Sequence, residues 1–207
     1  MKYIKQISIV ILTGLMFSGC SKLDEKHRDA LVGVNAASVT ATDILKSIYE
    51  GDIRDFMGQE NVWAIQEHTG DQVVGPTRGG DWDDNGIWRV LNQHTWDANH
   101  NFIRGAFNAL GRIVFNATDA LGRNPTPQQA AEAKFLRAFA NYFYIEGWNQ
   151  APYRDNLTDL TQTPLVRKGT DGINYIITEL ESALPALPNG PVTKANKNAC
   201  RALLIKA

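Results

Sequence analysis

The stretch from Thr126 to Gly147, TPQQAAEAKFLRAFANYFYIEG, limits the possible folds more than any other part of the chain. Thr126, Pro127 and Gln129 place a capping hydroxyl, a first-turn proline and a reciprocal N3 amide in the order that a helix start requires. Gly147 is the expected stop. Between them Lys134, Arg137 and Asn141 recur as one polar stripe, and Phe135, Leu136, Phe139, Ala140, Tyr142, Phe143 and Ile145 cover nearly all the rest. So apolar a helix must be covered on two sides by other helices.

The rest of the chain offers such partners. Leu45, Ile48, Tyr49, Ile53 and Phe56 fall at helical spacing between Thr40 and Met57, with Thr40 or Thr42 as cap and Gly51 as a weak point. From Asp97 onward Ile103, Ala106, Phe107, Leu110, Ile113, Val114, Ala117 and Leu121 share one face for about seven turns, ended by Gly122 and Pro125. Thr170 to Leu184 repeats the pattern through Ile173, Ile176, Ile177 and Leu180, and Pro185 closes it. A Pro188 to Pro191 turn leads to a last helix from near Thr193. The connection from Trp148 to about Lys168 has two prolines and no clear period, and a connection of that length tends to be functional or partner-facing. Val62 to Ile65 is a short apolar run. Gly70 to Gly86 carries five glycines and four aspartates and reads as a loop. The expected class is all-α, mainly helical with irregular loops.

The 207 residues, 43% hydrophobic, suffice for one domain or two small ones with a sizeable core. Net charge is −1, from 21 basic and 22 acidic residues spread along the chain, so nothing resembles a nucleic-acid footprint. No P-loop, dinucleotide fingerprint or Gly-x-Ser-x-Gly occurs, and no cofactor is implied. The two cysteines have dissimilar settings, which argues against a disulfide: Cys200 sits among alanines as a small buried hydrophobe, and Cys20 ends a leader.

That leader, residues 1–19, has Lys2 and Lys5, an apolar run from Ile7 to Phe17, and small residues Ser18 and Gly19 before Cys20. It is too short for a stable span and reads as a secretory signal. Phe-Ser-Gly-Cys resembles a bacterial lipobox, which would make Cys20 the acylated first residue of the mature protein. Residues 20–39 then read as a tether and 40–207 as the helical domain.

AEAKFLRAFANYFYIEGWNQAPYR resembles the signature helix of the RagB/SusD-like outer-membrane lipoproteins, in which such a run leads into a short aromatic-Gly-Pro loop. WDANHNFIRGAFNALGRIVFNATDAL upstream, and TPLVRKGTDGINYIITELESALPALP and TKANKNACRALLIKA downstream, are similar to the neighbouring helices in the same order. In place of the family's Phe-Gly-Asp-x-Pro turn this chain has Trp148-Asn149-Gln150-Ala151-Pro152. The resemblance implies tetratricopeptide-like helical hairpins and a cell-surface protein that delivers captured glycans, or other oligomeric nutrients, to a SusC-like TonB-dependent transporter. Because family members run longer, it also implies a domain incomplete at its C-terminus, with Leu203, Leu204 and Ile205 short of a partner. Asp24 and Glu25 loosely resemble the acidic surface-export signal of its relatives.

Candidate chemistry centres on the acidic glycine-rich loop. Trp82, Trp88 and Trp96 lie within fifteen positions. Aromatic rings stack on the apolar faces of sugars while carboxylates, amides and guanidinium groups bond hydroxyls, so Asp71, Arg78, Trp82, Trp96 and Asn99 form a candidate glycan surface. The resembled family uses a tryptophan and an asparagine three apart in this way. For Trp96 a role in the core competes equally, and Trp88, beside Val90 and Leu91, reads as core. Asp81, Asp83, Asn85 and Gly86 match half of a calcium loop, but Asn92 stands where a bidentate carboxylate belongs, so a solvated turn is expected and no metal site. His68, His94 and His100 lack ligand partners at suitable spacing and read as solvent-facing. Asp71 with Asp83, or Glu60 with Glu67, keeps a lipid-anchored glycoside hydrolase open as the alternative.

Overall fold

The computed structural model describes residues 39–70, 72–75 and 83–207. Cys20 and the leader, the tether through Ser38, and Asp71, Arg78, Asp81 and Trp82 lie outside them. The described residues are mainly helical, with one two-stranded sheet.

The central helix forms as its caps dictate, over Pro127–Trp148. The Thr126 hydroxyl accepts the Gln129 N–H at 3.3 Å, and the Gln129 carboxamide oxygen accepts the Thr126 N–H at 2.9 Å. Its stop differs from expectation: the helix passes through Gly147 and ends at Asn149, which adopts φ 53° in the left-handed region. Glycine inside a helix costs only about 0.5–1 kcal/mol, too little to end one so well packed, and asparagine is the usual substitute for glycine in a left-handed cap.

Before it in the chain come α1 (Ala41–Ser47), a π-helical turn (Ile48–Asp52), α2 (Ile53–Phe56), a second π-helical turn (Gln59–Trp63), α3 (Ala64–Glu67), a 3-10 turn (Asp84–Gly86), α4 (Ile87–Asn92) and α5 (Asn101–Leu121). The central helix is therefore α6. Strands β1 (Gln150–Tyr153) and β2 (Leu165–Lys168) follow, then α7 (Gly169–Ala183) and α8 (Lys197–Lys206). Thr40 caps α1 through a reciprocal pair with Asp43, and the weak point at Gly51 lies in the first π-helical turn. Asp97 does not start α5. Its carboxylate accepts the Asn99 N–H at 2.8 Å, which closes a turn, and the helix begins at Asn101. The last helix likewise starts later than Thr193, because the Asn196 carboxamide oxygen takes up the N–H groups of Asn198 and Ala199, both at 3.0 Å.

Helix α6 packs against α5 on one side and α7 on the other, the two-sided cover its composition demands. Leu110, Ile113, Leu136, Ile176 and Leu180 are fully buried between them. Approach is close enough that a Cβ at Gly172 would overlap Ile145, and one at Gly111 would sit 3.1 Å from the Tyr144 hydroxyl. That hydroxyl donates to the Phe107 carbonyl at 2.6 Å. The polar stripe faces α7: Arg137 pairs with Glu179 at 2.7 Å with both side chains nearly enclosed, Asn141 is buried, and Lys134 reaches the Ser182 hydroxyl at 3.2 Å. Cys200 is buried and free, and Leu203 is buried, whereas Ile205 is 86% exposed.

The connection after α6 is not irregular throughout. Strands β1 and β2 pair antiparallel with Ala151 opposite Arg167, and the Arg167 guanidinium lies 3.2 Å from the Tyr153 ring centre and 3.7 Å from that of Tyr175. With Leu165 and Val166 both exposed and only four residues per strand, no alternation marked the pair.

Candidate functional site

The ground for the site is laid by α4. Trp88 is 3% exposed and clusters with Ala64, Leu91 and Phe102, and its indole N–H donates to the Asp84 carboxylate at 2.7 Å. It is core, as its apolar neighbours implied. The turn before it places Asp84, Asn85 and Gly86 at φ 39°, 56° and 81°, all left-handed. Asp83 pairs with Arg89 at 3.0 Å and the Asn92 amide donates to the Gly70 carbonyl at 3.4 Å. These groups are thus engaged by the protein itself, and among the described residues no cluster of three or more metal-type side chains exists.

Two of the three candidate histidines are not solvent-facing. His68 is 1% exposed, its ring 5.0 Å from that of Trp63 and 4.9 Å from that of Trp88. Among the described residues neither of its ring nitrogens has a hydrogen-bond partner, and burial pushes its pKa down, which favours the neutral ring. His100 is also buried, with Nε2 3.0 Å from the Ile87 carbonyl oxygen. Single-sequence spacing missed both because imidazole carries enough apolar surface to join an aromatic cluster.

Of the three, only His94 is exposed, and it ends α4. It adopts φ 56°, its N–H donates to the Leu91 carbonyl, and the next N–H, of Thr95, reaches back to Val90 at 3.1 Å. This paired pattern around a left-handed residue terminates the helix and redirects the chain. Trp96 follows, 38% exposed, with its ring 5.2 Å from that of His94.

Trp96 stands between two clefts. One, of about 290 Å³, is lined also by Thr95, Asp97, Asn99 and His100. The other, of about 690 Å³, runs past His94, Gln66 and Glu67 to Phe143, Glu146 and Trp148 at the end of α6. Of the five predicted glycan residues, the structure thus brings Trp96 and Asn99 to one cleft, and the other three lie outside the described residues. Sequence reasoning read His94 only as a solvent-facing loop residue and did not single out Gln66 or Glu146. Glu146, an acidic residue at the tail of an apolar helix just before the aromatic turn, was the available signal. Of the carboxylates considered for hydrolysis, Glu60 and Glu67 do not converge: Glu67 lines the larger Trp96 cleft, whereas Glu60 lines a separate opening with Glu50, Arg54 and Asp55, and Asp71 of the other pair lies outside the described residues.

No protein-family profile matches this sequence, and no curated protein matches it. Solved structures do. A SusD-like carbohydrate binding protein from Bacteroides fragilis superposes with a TM-score of 0.64 at 20% identity, over 80% of this chain and 36% of its own. A SusD superfamily protein from Bacteroides thetaiotaomicron gives a TM-score of 0.60 at 14% identity, over 81% of this chain and 42% of its own. The fold of this chain is SusD-like, and the chain spans less than half the length of either structure.

Proposed function

We propose that this chain, on its SusD-like fold, captures oligosaccharides at the Trp96 rim without altering them. The observation that carries the reading is the contrast between neighbouring tryptophans: Trp88 is sealed in the core at 3% exposure, while Trp96 is held out at 38% between two clefts lined with amides and carboxylates. An open ring flanked by hydrogen-bonding groups suits a sugar face and its hydroxyls. The B. fragilis structure, described as carbohydrate binding, supports the same reading. Asp71, Arg78 and Trp82, which precede α4 in the sequence and lie outside the described residues, join the surface in this proposal.

The full protein would hang from the outer membrane by a lipid on Cys20 and pass its ligand to a SusC-like TonB-dependent transporter. Incubation of the purified protein with a polysaccharide panel tests capture: binding without new reducing ends is expected, and release of reducing ends would establish hydrolysis instead. Cys20→Ala should move the protein out of the membrane fraction; unchanged pelleting with outer membranes would refute the anchor.

A further inference from the structure

The charge around Trp96 narrows the class of saccharide. Its larger cleft is walled by two carboxylates, Glu67 and Glu146, and its smaller cleft by a third, Asp97. Among the described residues lining either cleft there is no lysine or arginine. Glu146 is fixed in place, accepting from the Gln66 amide and from the Tyr142 hydroxyl, both at 3.2 Å. A second feature of the same sign lies in the backbone. Glu146, Gly147 and Trp148 are the final turn of the 22-residue α6, so the negative end of that helix dipole opens at the cleft.

We propose that the larger cleft selects saccharides that carry no acidic groups, an inference that rests on the capture reading above. Neutral sugars present hydroxyl donors, which carboxylates bind well. A uronate or sulfate placed there would face Glu67, Glu146 and the helix end, with apolar Phe143 and Ile65 in the floor limiting the solvent that could screen it. The floor and the rings of Trp96 and Trp148 supply the apolar surface against which sugar rings lie.

The test is an array of neutral oligosaccharides printed beside their C6-oxidised and sulfated derivatives, with titration calorimetry on the best pair. The acidic member should bind weaker by on the order of tenfold or more at low salt. The gap should shrink at about 1 M salt, where screening acts over about 3 Å. It should also shrink in Glu67→Gln/Glu146→Gln, which keeps polar acceptors at both places; the salt series on the unaltered protein gives the same answer should that variant fold poorly. Equal or tighter binding of acidic members overturns the selectivity and leaves capture standing. If no saccharide binds, capture itself fails and the selectivity with it.

Discussion

The interface between α6 and α7 and the aromatic segment around α4 both bury polar side chains among rings, but they treat them differently. Between the helices, Arg137 faces Glu179 at 2.7 Å, its Nη1 reaches the Thr118 hydroxyl of α5 at 3.3 Å, and the buried Asn141 amide donates to the Arg137 carbonyl at 2.7 Å, which leaves only its Oδ1 without a partner among the described residues. Around α4, His68 has no partner at either nitrogen among the described residues, and three non-glycine residues, Asp84, Asn85 and His94, adopt left-handed backbone angles. Paired polar groups set the register of a scaffold, whereas unpaired groups and unfavourable backbone are tolerated where surrounding structure forces them, commonly near sites of function. The stiff helix pair holds, and the more strained segment presents Trp96.

The largest expected effect lies in the scaffold. With both side chains nearly enclosed, Glu179→Ala leaves the Arg137 charge buried without its counterion, and chemical denaturation should record a loss of about 3–5 kcal/mol. A loss below about 1 kcal/mol would mean that the pair is solvated, and the contrast between the two regions would weaken.

A smaller effect, dependent on pH, belongs to His68. Burial lowers its folded-state pKa, so the unfolded chain takes up the proton first as the solution is acidified. Its neutral ring therefore contributes fully above the ordinary histidine value near 6.5, and stability falls as pH drops below that value, by up to about 1.4 kcal/mol per pH unit. Melts of the unaltered protein and of His68→Phe between about pH 7 and pH 5 should diverge in slope. Parallel curves would show that His68 is not kept neutral by burial.

The same contrast decides how much could be read from sequence. Helix α6 was legible because Thr126, Pro127 and Gln129 act within one turn and its apolar surface demands neighbours whatever their identity. The covering helices α5 and α7 followed from periodicity for the same reason. The end of α6 at Asn149 was not legible, since Gly147 keeps helical geometry in open space and the left-handed cap falls to Asn149 two residues on. Strands β1 and β2 escaped because their pairing is a contact between residues about fifteen apart with too few positions to show alternation. In the candidate site, Trp96 and Asn99 are near in sequence and could be seen as a unit. Glu146 and Gln66 meet across 80 positions, and only the fold brings them to the Trp96 cleft. His68 and His100 were misjudged because burial by Trp88 and Phe102 is a tertiary fact.

The most direct test of the division between a scaffold that holds and a rim that binds is Trp96→Ala in the full-length protein, with melting temperature and saccharide affinity measured together. Since Trp96 keeps 38% of its surface open and its ring lies tilted 5.2 Å from that of His94, the loss of stability should stay well below the roughly 3–5 kcal/mol of a core Trp→Ala change. Affinity should fall by about tenfold or more, the loss of one stacking ring. A protein that melts several degrees lower yet binds its saccharide as tightly as before would place Trp96 with Trp88 in the core and contradict the assignment of the rim.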